Sequence, residues 1–173
     1  AAQVDSLTTA QISALGTKVS SFSAAAVQSL DATQIDGFSP AQVGALGANV
    51  SNLTPAAIAS LDAAQFANVY VEFNGFLNNW TPAQMAAITP AQLANITPAQ
   101  ISLIGGVHHE MGQYNNMIAA LGTNISGLSA AALGALSATQ VDKLSGAQVA
   151  ALGDKVAFLS AAAIGSLDAL QVD

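Results

Sequence analysis

The sequence has no cysteine and no arginine. Without thiols it can form neither a disulfide framework nor a thiolate metal site, and cysteine usage gives no clue to the redox compartment. Lys18, Lys143 and Lys155 are the only lysines, set against ten acidic residues for a net charge of −7. No basic surface is available to neutralise phosphates, so nucleic acid is not an expected partner. Charged residues make up only 8% of the chain, which leaves Ser, Thr, Asn, Gln and Ala to form the surface, unlike a compact cytosolic domain. Long apolar runs are also missing. Mean hydropathy is +0.49, yet a polar residue returns about every eight positions, so nothing approaches the ~18 apolar residues of a spanning helix and no membrane span is expected. No signal peptide is visible and the chain opens at Ala1 rather than with methionine, so whatever preceded it is expected to have been removed.

What is present is one phrase, many times over. Residues 81–104 hold three adjacent copies: Thr81-Pro82-Ala83-Gln84-Met85-Ala86-Ala87-Ile88, then Thr89 to Ile96, then Thr97 to Ile104. Each copy begins with a Thr able to accept an orphan backbone N–H, a Pro suited to the first helical position, and a Gln three residues on that can bond back to the cap. Apolar residues stand at the fifth and eighth positions. The next cap follows at once, so each unit predicts a helix of two turns at most.

Most units have eight residues, but those opening Leu15-Gly16 and Leu46-Gly47 have seven and lie 31 residues apart. The same spacing separates Leu121-Gly122 from Leu152-Gly153. Gly after Leu suits a helix end at positive φ, so one corner per 31 residues should turn differently from the rest. The expected fold is all-α: a solenoid of short capped helices with a 31-residue coil, ordered 7+8+8+8, its paired Leu, Val and Ile side chains pointing inward. The chain is expected to be a single repeat domain over 1–173, with N-terminal repeats at 1–61 and C-terminal repeats at 121–173. Both ends stop inside a unit, which suggests a fragment of a longer repetitive chain or a protomer whose ends meet other copies.

Two stretches break the pattern. Over 62–80 the steps Phe66, Tyr70, Phe73, Leu77, Trp80 predict one continuous amphipathic helix, and 99–121 predicts a second despite Gly105, Gly106 and Gly112. Both Tyr, the only Trp, all Met, both His and both Glu fall between 66 and 117. Any special chemistry should be there.

Candidate metal ligands are His108, His109 and Glu110. The two histidines are adjacent, about 100° apart around a helix, so they cannot chelate one ion as a His-x-x-x-His pair would. In the repeat frame His108 stands where Val19 and Val50 stand, which favours a hydrogen-bonded structural histidine. Glu72 could supply a remote carboxylate for acid–base work. A candidate ligand pocket between the two long helices would be lined by Tyr70, Phe73, Trp80, His108, Met111 and Tyr114, for haem, a metal or a small apolar molecule; at helical spacing such a row is more often core. Asp31, Asp62 and Asp168 take the cap position. The Asn-x-Ser/Thr sites at Asn49, Asn52, Asn79, Asn95 and Asn124 follow from the repeat itself. No calcium loop, phosphate loop or nucleophile elbow occurs.

The Thr-Pro-Ala-Gln-Ile phrase over about 3–65, 81–104 and 121–172 resembles the Ala/Leu-rich short-helix repeats of large secreted or surface proteins of bacteria. That resemblance implies export, a surface or matrix location, and a structural or adhesive role. The leading expectation is a non-enzymatic structural or interaction protein that needs no cofactor and pairs with copies of itself or with a surface or matrix component. A ligand-binding protein is the alternative.

Overall fold

A computed structural model describes residues 4–71, 80–104 and 117–172. Among these residues all regular structure is helical, in segments of four to nine residues. The α-helices are α1 (Thr9–Leu15), α2 (Ala24–Gln28), α3 (Ala32–Asp36), α4 (Pro40–Ala45), α5 (Pro55–Ser60), α6 (Ala63–Val71), α7 (Pro82–Ala86), α8 (Pro90–Leu93), α9 (Pro98–Leu103), α10 (Met117–Ala120), α11 (Ala130–Gly134), α12 (Ala138–Val141), α13 (Gly146–Leu152), α14 (Ala161–Ile164) and α15 (Ala169–Val172). 3-10 helices run over Gly16–Ser21, Gly47–Asn52, Gly122–Gly127 and Gly153–Phe158. The chain divides into two compact units, Ala1–Ala87 and Ile88–Asp173.

Helices this short are unstable alone. Three devices hold them. The first is the cap. Thr8, Asp31, Ser39, Thr81, Thr89, Thr97, Ser137 and Ser145 each accept the N–H of the Gln three residues on, whose side chain accepts the cap residue's own N–H in return. Asp62 with Gln65 and Asp168 with Gln171 make the same reciprocal pair. The three Asp caps are therefore where the repeat puts them.

The second device is the Leu-Gly corner. Gly16, Gly47, Gly122 and Gly153 have φ of 53°, 61°, 55° and 52°. For Gly16 and Gly153, ψ near −140° completes a conformation open essentially only to Gly. After each such Gly the chain continues as a 3-10 helix with no side-chain cap. This is the corner expected to differ.

The third is burial of the paired apolar residues. Val27, Ile35, Ile58, Ile88, Leu93, Ile101, Ile118, Leu133 and Val141 are at most 0–1% exposed, each adding roughly 1.5–3 kcal/mol relative to exposure. Ala26, Ala57, Ala132 and Ala163 replace Gln at the third helical position of α2, α5, α11 and α14 and are buried as well. In the second unit a Cβ on Gly127 would overlap the Pro90 backbone, so the segments approach to backbone contact there.

Of the helix expected over 62–80, α6 (Ala63–Val71) is described, and Trp80 is a bend immediately before the Thr81 cap. α9 ends at Leu103, because Ile104 is extended (φ −72°, ψ 111°) like the closing residues Leu53 and Leu61. The closing position at Ile104 thus interrupts the continuous helix expected over 99–121. Residues 72–79 and 105–116 lie outside the described residues.

Candidate functional site

Of the residues proposed to bind a metal or ligand, Glu72, Phe73, His108, His109, Glu110, Met111 and Tyr114 lie outside the described residues, as does the side chain of Tyr70. Trp80 is described. It is buried in the first unit at 3% exposure, edge-on to Phe66 with ring centroids 6.4 Å apart and planes at 66°. Its indole N–H has no hydrogen-bond acceptor among the described residues; a buried donor without one costs about 1–3 kcal/mol. Trp80 thus packs against Phe66 at the end of the segment before the Thr81 cap.

A cleft of about 290 Å3 also lies in the first unit, bordered by Gln28, Ser51, Thr54, Thr81 and Gln84. Most of its polar groups already have duties. Thr54 and Thr81 cap α5 and α7, and the Gln84 amide donates to the Ser51 and Leu53 carbonyls. Among the described residues no titratable side chain borders the cleft.

The polar chemistry that does converge is a set of buried glutamines. Gln34, Gln42, Gln65, Gln84, Gln140, Gln148 and Gln171 are each 1–7% exposed. Each uses Oε1 to accept the N–H of its cap residue, and turns Nε2 toward two carbonyls of an earlier segment. Gln34 reaches Val4 and Leu7 at 2.9 Å each, and Gln42 reaches Ile12 at 2.8 Å and Gly16 at 3.3 Å. Gln65 reaches Ile35 and Phe38 at 3.1 and 2.6 Å. In the second unit Gln140 reaches Ile101 and Ile104 at 2.9 and 2.6 Å, Gln148 reaches Ile118 and Gly122, and Gln171 reaches Val141 and Leu144. The partner lies 26–30 residues back in most cases, and 36–39 back for Gln140, whose bonds straddle residues 105–116. The extended closing residues, such as Leu53 and Ile104, would otherwise leave buried carbonyls unsatisfied.

Seven-residue segments do the same with other side chains. Asn49 donates to the Phe22 carbonyl at 2.9 Å and Asn124 to that of Ile88 at 2.9 Å. Lys155 donates to the Ser126 and Leu128 carbonyls at 2.7 and 3.2 Å. The sequence reading placed Gln as a capping partner and missed its second role. A signal was present: Glu serves a capping box as well as Gln does, yet the third helical position never holds Glu. Only Gln can accept from its own cap and still donate elsewhere.

Among the described residues no group of three or more His, Cys, Asp or Glu is arranged to hold a metal, and no helix is long and apolar enough to cross a membrane. No protein family, curated protein or solved structure matches the chain at a significant level.

Proposed function

We propose that this is a non-enzymatic structural or interaction protein, exported to a surface or matrix, in which four short helical segments per 31 residues wind into an α-solenoid that works by assembling with copies of itself. The observation that carries the reading is the use made of polar side chains. Ser, Thr and Asp cap helices, while Gln, Asn and Lys bind carbonyls about 30 residues back in both units. Such bonding stacks each turn on the one before it, as in quasi-one-dimensional repeat proteins. Low charge fits the same role, since a surface of Ala, Ser and Thr offers little long-range repulsion between copies.

Sedimentation velocity with light scattering, followed by negative-stain imaging, tests it over a wide concentration range. The expected result is a distribution that shifts to larger particles as concentration rises. Inert monomers at every concentration would remove the assembling role.

A further inference from the structure

The cleft of about 290 Å3 in the first unit opens where segments of different length meet. Gln84, from an eight-residue segment, donates to the Ser51 and Leu53 carbonyls of a seven-residue one, so a capped α-helix lies against an uncapped 3-10 helix. The border is also where the repeat departs from its own pattern. Ser23, Thr54, Ser129 and Ser160 cap equivalent helices. Five residues after these caps stand Gln28, Ala59, Gly134 and Gly165, so Gln28 alone brings a polar side chain to that place. One residue after them, Pro55 stands where Ala24, Ala130 and Ala161 do, and two before them Asn52 stands where Ser21, Gly127 and Phe158 do. Gln28, Asn52 and Pro55 all border the cleft.

These departures leave hydrogen-bonding capacity unspent. Gln28 is exposed, and neither end of its side-chain amide has a partner among the described residues. Asn52 uses Nδ2 on the Asn49 carbonyl, which leaves Oδ1 free to accept among those residues. Thr54 accepts from the Ala57 N–H, and its hydroxyl hydrogen has no acceptor among them. Beside these groups the exposed Pro55 ring supplies an apolar surface. Donors and acceptors are thus both offered, and none of them is charged.

We propose that this cleft binds an uncharged sugar ring. A sugar hydroxyl both donates and accepts, which matches the planar amide of Gln28, the Thr54 hydroxyl hydrogen and the Asn52 carbonyl oxygen, while the C–H face of the ring packs on Pro55. The volume stands at the low end for small-molecule sites, which suits a ligand of ring size. A charged ligand would shed its water against a border that, among the described residues, offers no opposite charge. Peptides are recognised along a strand edge, in an apolar groove or by charged clusters, and no strand or charged residue borders the cleft among the described residues. Sugar binding of this kind is independent of the assembling role, since a chain that never associates would still carry the cleft.

NMR of the isotope-labelled whole chain tests this, with glucose, galactose, mannose, N-acetylglucosamine and a tetrasaccharide of each as the probes. The side-chain amide signals of Gln28 and Asn52 should shift saturably with at least one of them. A tetrasaccharide held more than about tenfold more tightly than its monosaccharide marks a polysaccharide as the source, and equal affinity marks a free sugar. Gln28→Ala, which installs the side chain found at the equivalent Ala59, should weaken binding by about tenfold or more while far-UV circular dichroism stays unchanged. Asn95→Ala, exposed and off the border of the cleft, should leave binding as it was. No shift at either amide with any of these sugars, or binding that survives Gln28→Ala, would overturn the proposal. Equal shifts from galacturonate or from an uncharged alanine tetrapeptide would overturn it too, because the cleft would then not be selecting neutral hydroxyls. Self-association is read separately by sedimentation, so a failure of either role is told apart from a failure of the other.

Discussion

The eight-residue and seven-residue segments solve one problem in two ways. An eight-residue segment such as the one holding α3 has a side-chain cap, an α-helix and a buried Gln that both completes the cap and satisfies carbonyls about 30 residues back. A seven-residue segment such as Gly122–Gly127 has no cap and a positive-φ Gly, and runs as a 3-10 helix. It still provides a donor, Asn124, to an earlier carbonyl. The cap is thus absent from the seven-residue segments, while a donor to an earlier carbonyl occurs in both kinds of segment, although the capped segments of α2, α5 and α11 carry Ala in place of that Gln. Gln84 makes the point from the other side: an eight-residue segment donates to Ser51 and Leu53 just as Lys155 donates to Ser126 and Leu128.

Substitutions can break this comparison at its strongest point first. Gln65→Glu keeps an acceptor for the Asp62 N–H but points a carboxylate at the Ile35 and Phe38 carbonyls, so it should cost about 3–5 kcal/mol at neutral pH, as for an uncompensated buried charge. Burial and the facing oxygens raise that carboxyl's folded pKa. The penalty should therefore be absent below the unfolded value of about 4.3, grow as pH rises through the folded value, and be complete above it. Urea melts at several pH values measure this. Gly122→Ala should cost about 1–3 kcal/mol in the same assay. A Cβ there meets nothing within 4 Å, so the loss would be purely conformational.

Smaller effects sharpen the contrast. Lys155→Met removes the donor to two part-buried carbonyls and should cost roughly 1–2 kcal/mol, most of which Lys155→Gln should restore if reach and donor count matter more than charge. Ser129→Ala removes an N-cap without touching any donor to an earlier segment, and thermal melts should register about 1 kcal/mol. A cap loss that exceeded the donor losses would invert the ranking.

Much of this was legible in the residues. The caps, the Pro starts, the Leu-Gly corners at positive φ and the buried Val/Ile/Leu pairs all follow from local rules, because each depends on neighbours within one segment. The α9 boundary was misjudged because Ile101, Ile104 and the apolar positions that follow mimic a helical period, while Ile104 in fact closes its unit in extended form. The second role of Gln was missed for a different reason: its acceptors stand about 30 residues away, beyond any local pattern. In the frame those bonds define, residues 72–79 and 105–116 both fall in the unit that elsewhere ends in Leu-Gly. The proposed ligand residues Phe73, His108, Met111 and Tyr114 belong to these interruptions, where the repeat offers no template to read against.

Buried glutamine amides bind carbonyls about 30 residues back in the chain, and side-chain amide hydrogen exchange followed by NMR measures this directly. Nε2 hydrogens of Gln42, Gln65, Gln140 and Gln148 should exchange orders of magnitude more slowly than those of exposed Gln11 in dilute, monomeric protein. Exchange of all four at the rate of Gln11 would contradict the account.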